Sequence, residues 1–131
     1  MAVRKYVEVE TSDDGRRGPS REVDIRDLGL IAGAKILAIS GPALTLTDDH
    51  HGLILDLYHT AGITVTVPNT LRSDFYCGLS QATANQITVA AGSGSTLVAY
   101  NSQFKTAGQY ALASLVAFAE DTFRLFGQTS G

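Results

Sequence analysis

Between Gly62 and Gly94 the chain reads GITVTVPNTLRSDFYCGLSQATANQITVAAGSG. Ile63, Val65 and Val67 alternate with Thr64 and Thr66 before Pro68 and Asn69 break the run. Phe75, Cys77 and Leu79 alternate with Tyr76, Gly78 and Ser80, and Ile87 and Val89 flank Thr88. A period of two sends successive side chains to opposite faces, so each run reads as a strand with one buried and one wet face. Three short strands set between turn signals predict an all-β fold, an antiparallel β-sandwich or barrel-like (jelly-roll-like) domain. Gly92-Ser93-Gly94-Ser95 reads as the hairpin turn that closes the unit.

The same rhythm extends to both sides. Lys35–Ser40, Ala43–Thr47, Leu53–Tyr58 and Thr96–Tyr100 are further strand candidates, and Gly41-Pro42, Asp48–Gly52 and Thr60–Gly62 punctuate them. Tyr110–Phe126 satisfies two patterns. Leu112, Val116, Ala119, Phe123 and Phe126 form a stripe at helical spacing. Alternation on either side of Glu120-Asp121 suits a hairpin instead, and the hairpin is the reading adopted. In it Ala111, Ala113, Ala117 and Ala119 share a face of small side chains that a second subunit could approach closely. These four are the candidate self-association residues. Exact internal repeats are absent.

Charge divides the chain. Residues 1–34 carry six Lys/Arg and seven Asp/Glu, whereas residues 35–131 carry four and six. The first part reads as a charged N-terminal arm or attachment segment, the second as the β domain. Within the arm, Val3–Glu10 suits a strand, Thr11–Ser20 a loop, Arg21–Asp27 an extended segment and Leu28–Ala34 a short helical turn. Arg4, Lys5, Arg16, Arg17, Arg21 and Arg26 are the candidate attachment residues, because opposite charges in close sequence suit a polar interface that sets register. A total of 131 residues suffices for one domain with a core. Charged residues make up 18% of the chain, below the roughly 25% usual for soluble domains, as expected when a neighbour covers part of the surface.

The net charge of −3 provides no basic field to gather nucleic acid. No apolar run is long enough to cross a bilayer, and Met1–Glu10 lacks the apolar core of a secretory signal. A soluble product that folds in a reducing cytoplasm is expected. The single cysteine, Cys77, reads as a small buried hydrophobe. Asp48, Asp49, His50 and His51 have metal-ligand chemistry, but consecutive turn residues rarely converge on one ion, so turn chemistry is the better account. Tyr58, Tyr76, Tyr100 and Tyr110 have the chemistry of a sugar-stacking surface, with half-buried strand aromatics the simpler reading. No serine sits in a nucleophile-elbow pattern and no phosphate-cradling glycine motif opens a helix. The residues predict no enzyme, no metal and no cofactor.

Leu44–Thr47, Asp48–Gly52, Leu53–Leu55 and Ile63–Pro68 follow one another in an order that resembles a small β domain of tailed-phage virion proteins. The likeness continues through Phe75–Gln81, Gln86–Gly94, Lys105–Ala111 and Asp121–Gly127, and spans about residues 43–127. Phe123 stands where that family often carries Trp. The resemblance implies an all-β, homo-oligomeric (trimeric) virion module and supports the hairpin at Tyr110–Phe126. Such modules occur in capsid decoration or cement proteins, head fibres and tail-fibre ends. The chain is too short for a fibre shaft, which favours decoration, with the major capsid protein or another virion protein as partner. A tail-fibre or adaptor piece that contacts host surface glycan is the alternative.

Overall fold

The computed structural model describes residues 35–131, the unit Lys35–Gly131. The arm residues and the elements expected before Lys35 lie outside the described residues. Eleven strands follow in order: β1 (Lys35–Ser40), β2 (Ala43–Thr45), β3 (Leu53–Tyr58), β4 (Ile63–Val67), β5 (Tyr76–Gln81), β6 (Ile87–Ala91), β7 (Thr96–Ala99), β8 (Lys105–Thr106), β9 (Leu112–Ala119), β10 (Thr122–Gly127) and β11 (Thr129–Ser130). The all-β expectation is met, and so is the hairpin across Glu120-Asp121, where β9 and β10 pair antiparallel. Asp121 turns the chain at φ 58°.

The sandwich or barrel is corrected. The strands form two sheets, ordered β1-β3-β5-β9-β10-β7 and β11-β8-β6-β4-β2. From β1 to β6 the chain alternates between the sheets, and each strand lies parallel to the one two before it. β1 pairs with β3, β3 with β5, β2 with β4, and β4 with β6. That is solenoid-like stacking in three coils. The turns explain it: Gly41-Pro42 and the His59–Gly62 link carry the chain across to the other sheet instead of reversing it within one. Gly92–Ser95 likewise closes a tight turn, with Ser95 N–H donating to the Gly92 carbonyl at 3.1 Å, but it leads from β6 in one sheet to β7 in the other. It is not a hairpin.

The coils are in register with a recurring sequence. Ile54 pairs with Gly78 and Leu55 with Leu79, and Ile63-Thr64-Val65 lies on Ile87-Thr88-Val89. Each partner stands 24 residues further on. Stacking like on like puts apolar side chains in continuous inward ladders: Leu55 on Leu79, Ile63 on Ile87, Val65 on Val89. All six are buried. Beyond β5 the antiparallel strands β9 and β10 extend the sheet and set Leu115 beside Cys77 and Leu125 beside Leu115. Phe75 and Phe123, both fully buried, fill the space between the sheets.

One polar group set crosses this core. Gln81 on β5 and Thr106 on β8 are each 1% exposed. The Thr106 hydroxyl donates to Gln81 Oε1 and accepts from Ile87 N–H at 3.0 Å, and Gln81 Nε2 donates to the Thr83 carbonyl at 2.9 Å. Buried polar atoms that find partners avoid the desolvation cost of a lone one, so the set ties the two sheets at one defined register.

Candidate interaction surface

The sheet that holds β1, β3, β5, β9, β10 and β7 buries one face and shows the other. Alternation places Leu55, Leu79, Ala113, Leu115, Phe123 and Leu125 inward. The residues between them point out. Register then defines two outward rows. One runs Ile36, Ile54, Gly78, Ser114, Phe126. The other runs Tyr76, Val116, Arg124, Val98. Ile36 is 69% exposed, Phe126 49% and Val98 43%. Phe118, at the irregularity where β9 meets Thr122–Phe123, is 56% exposed. Leu112 also points outward, and a methyl added at Gly78 would meet Ile54 Cγ1 at 3.2 Å and Leu112 Cδ1 at 3.6 Å, so both side chains lean over that glycine.

Among the described residues, two charges stand on the strands of this face, Asp56 on β3 and Arg124 on β10. The Arg124 guanidinium carbon lies 4.0 Å from the centroid of the Phe118 ring. Stacking of that kind leaves the N–H edges of the guanidinium free to meet an acceptor. Val98, Tyr100, Phe118, Arg124 and Phe126 line a shallow cleft of about 410 Å³ at the β7 side of the face.

The residues singled out from the sequence fall elsewhere. Ala111 and Ala113 are buried and Ala117 packs on the core, so these three belong to the inner layer; Ala119 alone of the four is exposed. Arg4, Lys5, Arg16, Arg17, Arg21 and Arg26 lie outside the described residues. The tyrosines do not gather. Tyr58 is on β3 and Tyr100 follows β7, with three strands between, and Tyr110 precedes β9. Phe118, Phe126, Val98, Ile36 and Ile54 were missed. Their signal was apolar residues at both parities of a strand, which alternation treats as noise.

The Asp48–His51 turn is held by its own hydrogen bonds. Thr47 caps it, accepting from Asp49 N–H at 3.3 Å, while His50 Nδ1 accepts from Thr47 N–H at 3.0 Å. Asp48 Oδ1 accepts from Arg72 N–H at 2.8 Å, and His51 Nδ1 from Tyr76 N–H at 3.3 Å. Among the described residues no three His, Cys, Asp or Glu side chains group as metal ligands. Asp74 is held below the usual carboxylate range by its hydrogen bond from Arg72.

Burial pushes the Cys77 thiol up to about 12. At pH 8 that leaves about one thiolate in ten thousand. Folded protein is therefore expected to resist a thiol-specific reagent over hours and to react fully once denatured. Rapid labelling of the native protein at pH 8 would contradict that placement.

No protein-family model matches the chain, and no curated protein matches it.

Proposed function

We propose that the chain is a tailed-phage virion structural protein, a capsid decoration or head-fibre protein whose β domain self-associates. It contacts the major capsid protein or another virion protein through residues 1–34. The observation that supports self-association is the outer face of the six-stranded sheet, where Ile36, Leu112, Phe118, Phe126 and Val98 are exposed and, among the described residues, two charges stand. Contiguous exposed apolar surface on a small domain marks association with protein. The order of segments from Leu44 to Gly127 adds the virion context and, taken alone, a trimer.

Co-sedimentation with particles of the phage that encodes the chain tests this. Full-length protein is expected to pellet with particles stripped of it, and residues 35–131 to remain folded by circular dichroism but stay in the supernatant. Normal decoration by the shortened chain would refute attachment through the arm. A receptor-binding role in the tail is the second reading, favoured by the aromatic cleft at Tyr100, Phe118 and Phe126 beside Arg124. Saturable binding to host glycan with none to particles would select it.

A further inference from the structure

We propose that the cleft at the β7 side of the six-stranded sheet binds a carboxylate-bearing sugar, with Arg124 gripping the carboxylate and Phe126 and Tyr100 receiving the apolar face of the pyranose ring. This rests on the second reading above and names the sugar class for that cleft. Register supplies the geometry. Val98 pairs with Arg124 and Ala99 with Leu125, so the parallel course of β7 and β10 brings Tyr100 up beside Phe126. Leu125 is buried, and Arg124 and Phe126 on either side of it point outward. They stand two residues apart on one strand, about 7 Å, which is about the length of one pyranose ring with its carboxylate.

Arg124 is placed to hold an anion. Its guanidinium carbon lies 4.0 Å from the Phe118 centroid, so one face of the fork rests on that ring and the N–H edges remain available. Among the described residues no carboxylate pairs with it. Glu120 and Asp121, at the turn between β9 and β10, form no ion pair with Arg124, whereas Arg72 and Asp74 pair with each other. One planar cation matches one planar carboxylate through two parallel hydrogen bonds. A phosphate dianion would leave its second charge unanswered, because no Lys, His or second Arg lines the cleft.

The rest of the cleft selects the ring. It measures about 410 Å³, room for a small ligand, and it is shallow, so it covers one side of a guest and leaves the other in water. An apolar acid gains little from such a site. A pyranose suits it, with C–H groups on one face for an aromatic ring and hydroxyls turned to solvent. Tyr100 is 81% exposed at the mouth, and the turn that ends β7 holds it there. Asn101 and Ser102 follow at φ 54° and 53°, and Gln103 N–H donates to the Tyr100 carbonyl at 3.2 Å. Two left-handed residues in succession, neither of them glycine, are strained, and strain of this kind gathers at ligand sites.

Amide-resolved NMR titration of the isotope-labelled full chain tests the assignment. The acidic probes are a hyaluronan tetrasaccharide and sialyllactose. Chitotetraose and lactose are their neutral counterparts, and sodium acetate supplies the carboxylate alone. At least one acidic probe should saturably move the amides of Val98, Tyr100, Arg124 and Phe126, with a Kd of about 0.1–1 mM. Its neutral counterpart should bind at least about tenfold more weakly. Arg124→Gln should reduce the acidic probe to the level of the neutral one, and Tyr100→Ala should weaken both. Arg72→Gln, at an exposed arginine outside the cleft, should leave binding unchanged. Melting curves of each variant confirm that it is folded. Equal binding of acidic and neutral probes would overturn the role of Arg124, and an equal response to acetate would overturn the role of the ring. Cleft amides that shift on dilution alone would show that copies of the chain occupy the site, which also overturns the proposal. Saturable binding of host glycan with no response to either acidic probe would overturn it too, while leaving the second reading in place. The titration needs no particles, so its failure is distinct from a failure of attachment through the arm.

Discussion

Phe123→Ala is expected to destabilise the β domain by about 4 kcal/mol, the range for removing a fully buried aromatic ring. Phe123 is 0% exposed, lies on β10 beside Ala117 of β9 and Leu97 of β7, and faces the opposite sheet. Of its two cross-strand neighbours, Ala117 has only a methyl to offer, and Leu97 is already packed against the core, so the void stays largely unfilled and the cavity term adds to the lost transfer energy. Against a total of about 5–15 kcal/mol the loss is a large share, and a melting temperature lower by about 20 °C is the expected reading. Phe126→Ala is the control. It lies three residues on, points to the other side of the same strand and is 49% exposed. It should cost less than about 1 kcal/mol in urea unfolding and act instead on self-association. Equal losses of stability from the two changes would contradict the assignment of inner and outer faces.

Most strands between residues 35 and 127 were readable because a strand is a local matter; β8 at Lys105–Thr106, two residues long, lay in what reads as a polar link from Asn101 to Thr106. Ile63–Val67 declares itself through alternation and through Pro68, whatever it pairs with. Pairing partners are not local. Whether Ile63 faces a hairpin partner or a parallel strand one coil away depends on where the intervening links send the chain. Two small turns, Gly41-Pro42 and His59–Gly62, made that choice in favour of crossing to the second sheet. The recurrence of Leu55 as Leu79 and of Ile63-Thr64-Val65 as Ile87-Thr88-Val89 carried the signal. It was blurred because Gly78 replaces Ile54, Gln81 replaces Leu57, and the first coil is shorter. The helix alternative for Tyr110–Phe126 fails for a related reason. Leu115 and Leu125 must both face inward, which the hairpin allows and a stripe through Leu112 and Val116 does not.

The candidate surface was less readable than the fold. Low charge predicted a covered face, and Ala111, Ala113, Ala117 and Ala119 were its expected site; of these only Ala119 is exposed. The small size of Ala111, Ala113 and Ala117 instead serves the interior. Ala113 is 1% exposed on a strand whose inward neighbours include Leu115, so the alanines leave room for the bulkier side chains of the opposite sheet. At Gly127 the same economy of space appears, since an added methyl would come within 2.8 Å of the Leu112 carbonyl oxygen. The face turned outward is the one with Ile54, Val116 and Phe126. Nothing local distinguishes it from an inner face, because both are apolar. Only the register of all six strands assigns each residue to its side.

Thr106→Val should cost about 3 kcal/mol although it keeps the shape of the side chain. The hydroxyl has two buried partners, Ile87 N–H as donor to it and Gln81 Oε1 as acceptor from it. Removing it strands both in a region from which water is excluded, and each unmet group costs about 1–3 kcal/mol. Valine adds a methyl to the core in return, worth less than either loss. Gln81→Met removes the glutamine partner while preserving length, and leaves Thr106 still able to accept from Ile87. Its cost should be smaller, about 1–2 kcal/mol. The two changes together should cost less than the sum of their separate costs by about 1 kcal/mol, because once the hydroxyl is gone the glutamine oxygen is a liability that methionine removes. Urea unfolding of the four proteins measures this coupling. Strictly additive losses would mean that Gln81 and Thr106 do not act as a pair, and that the two sheets are held in register by apolar packing alone.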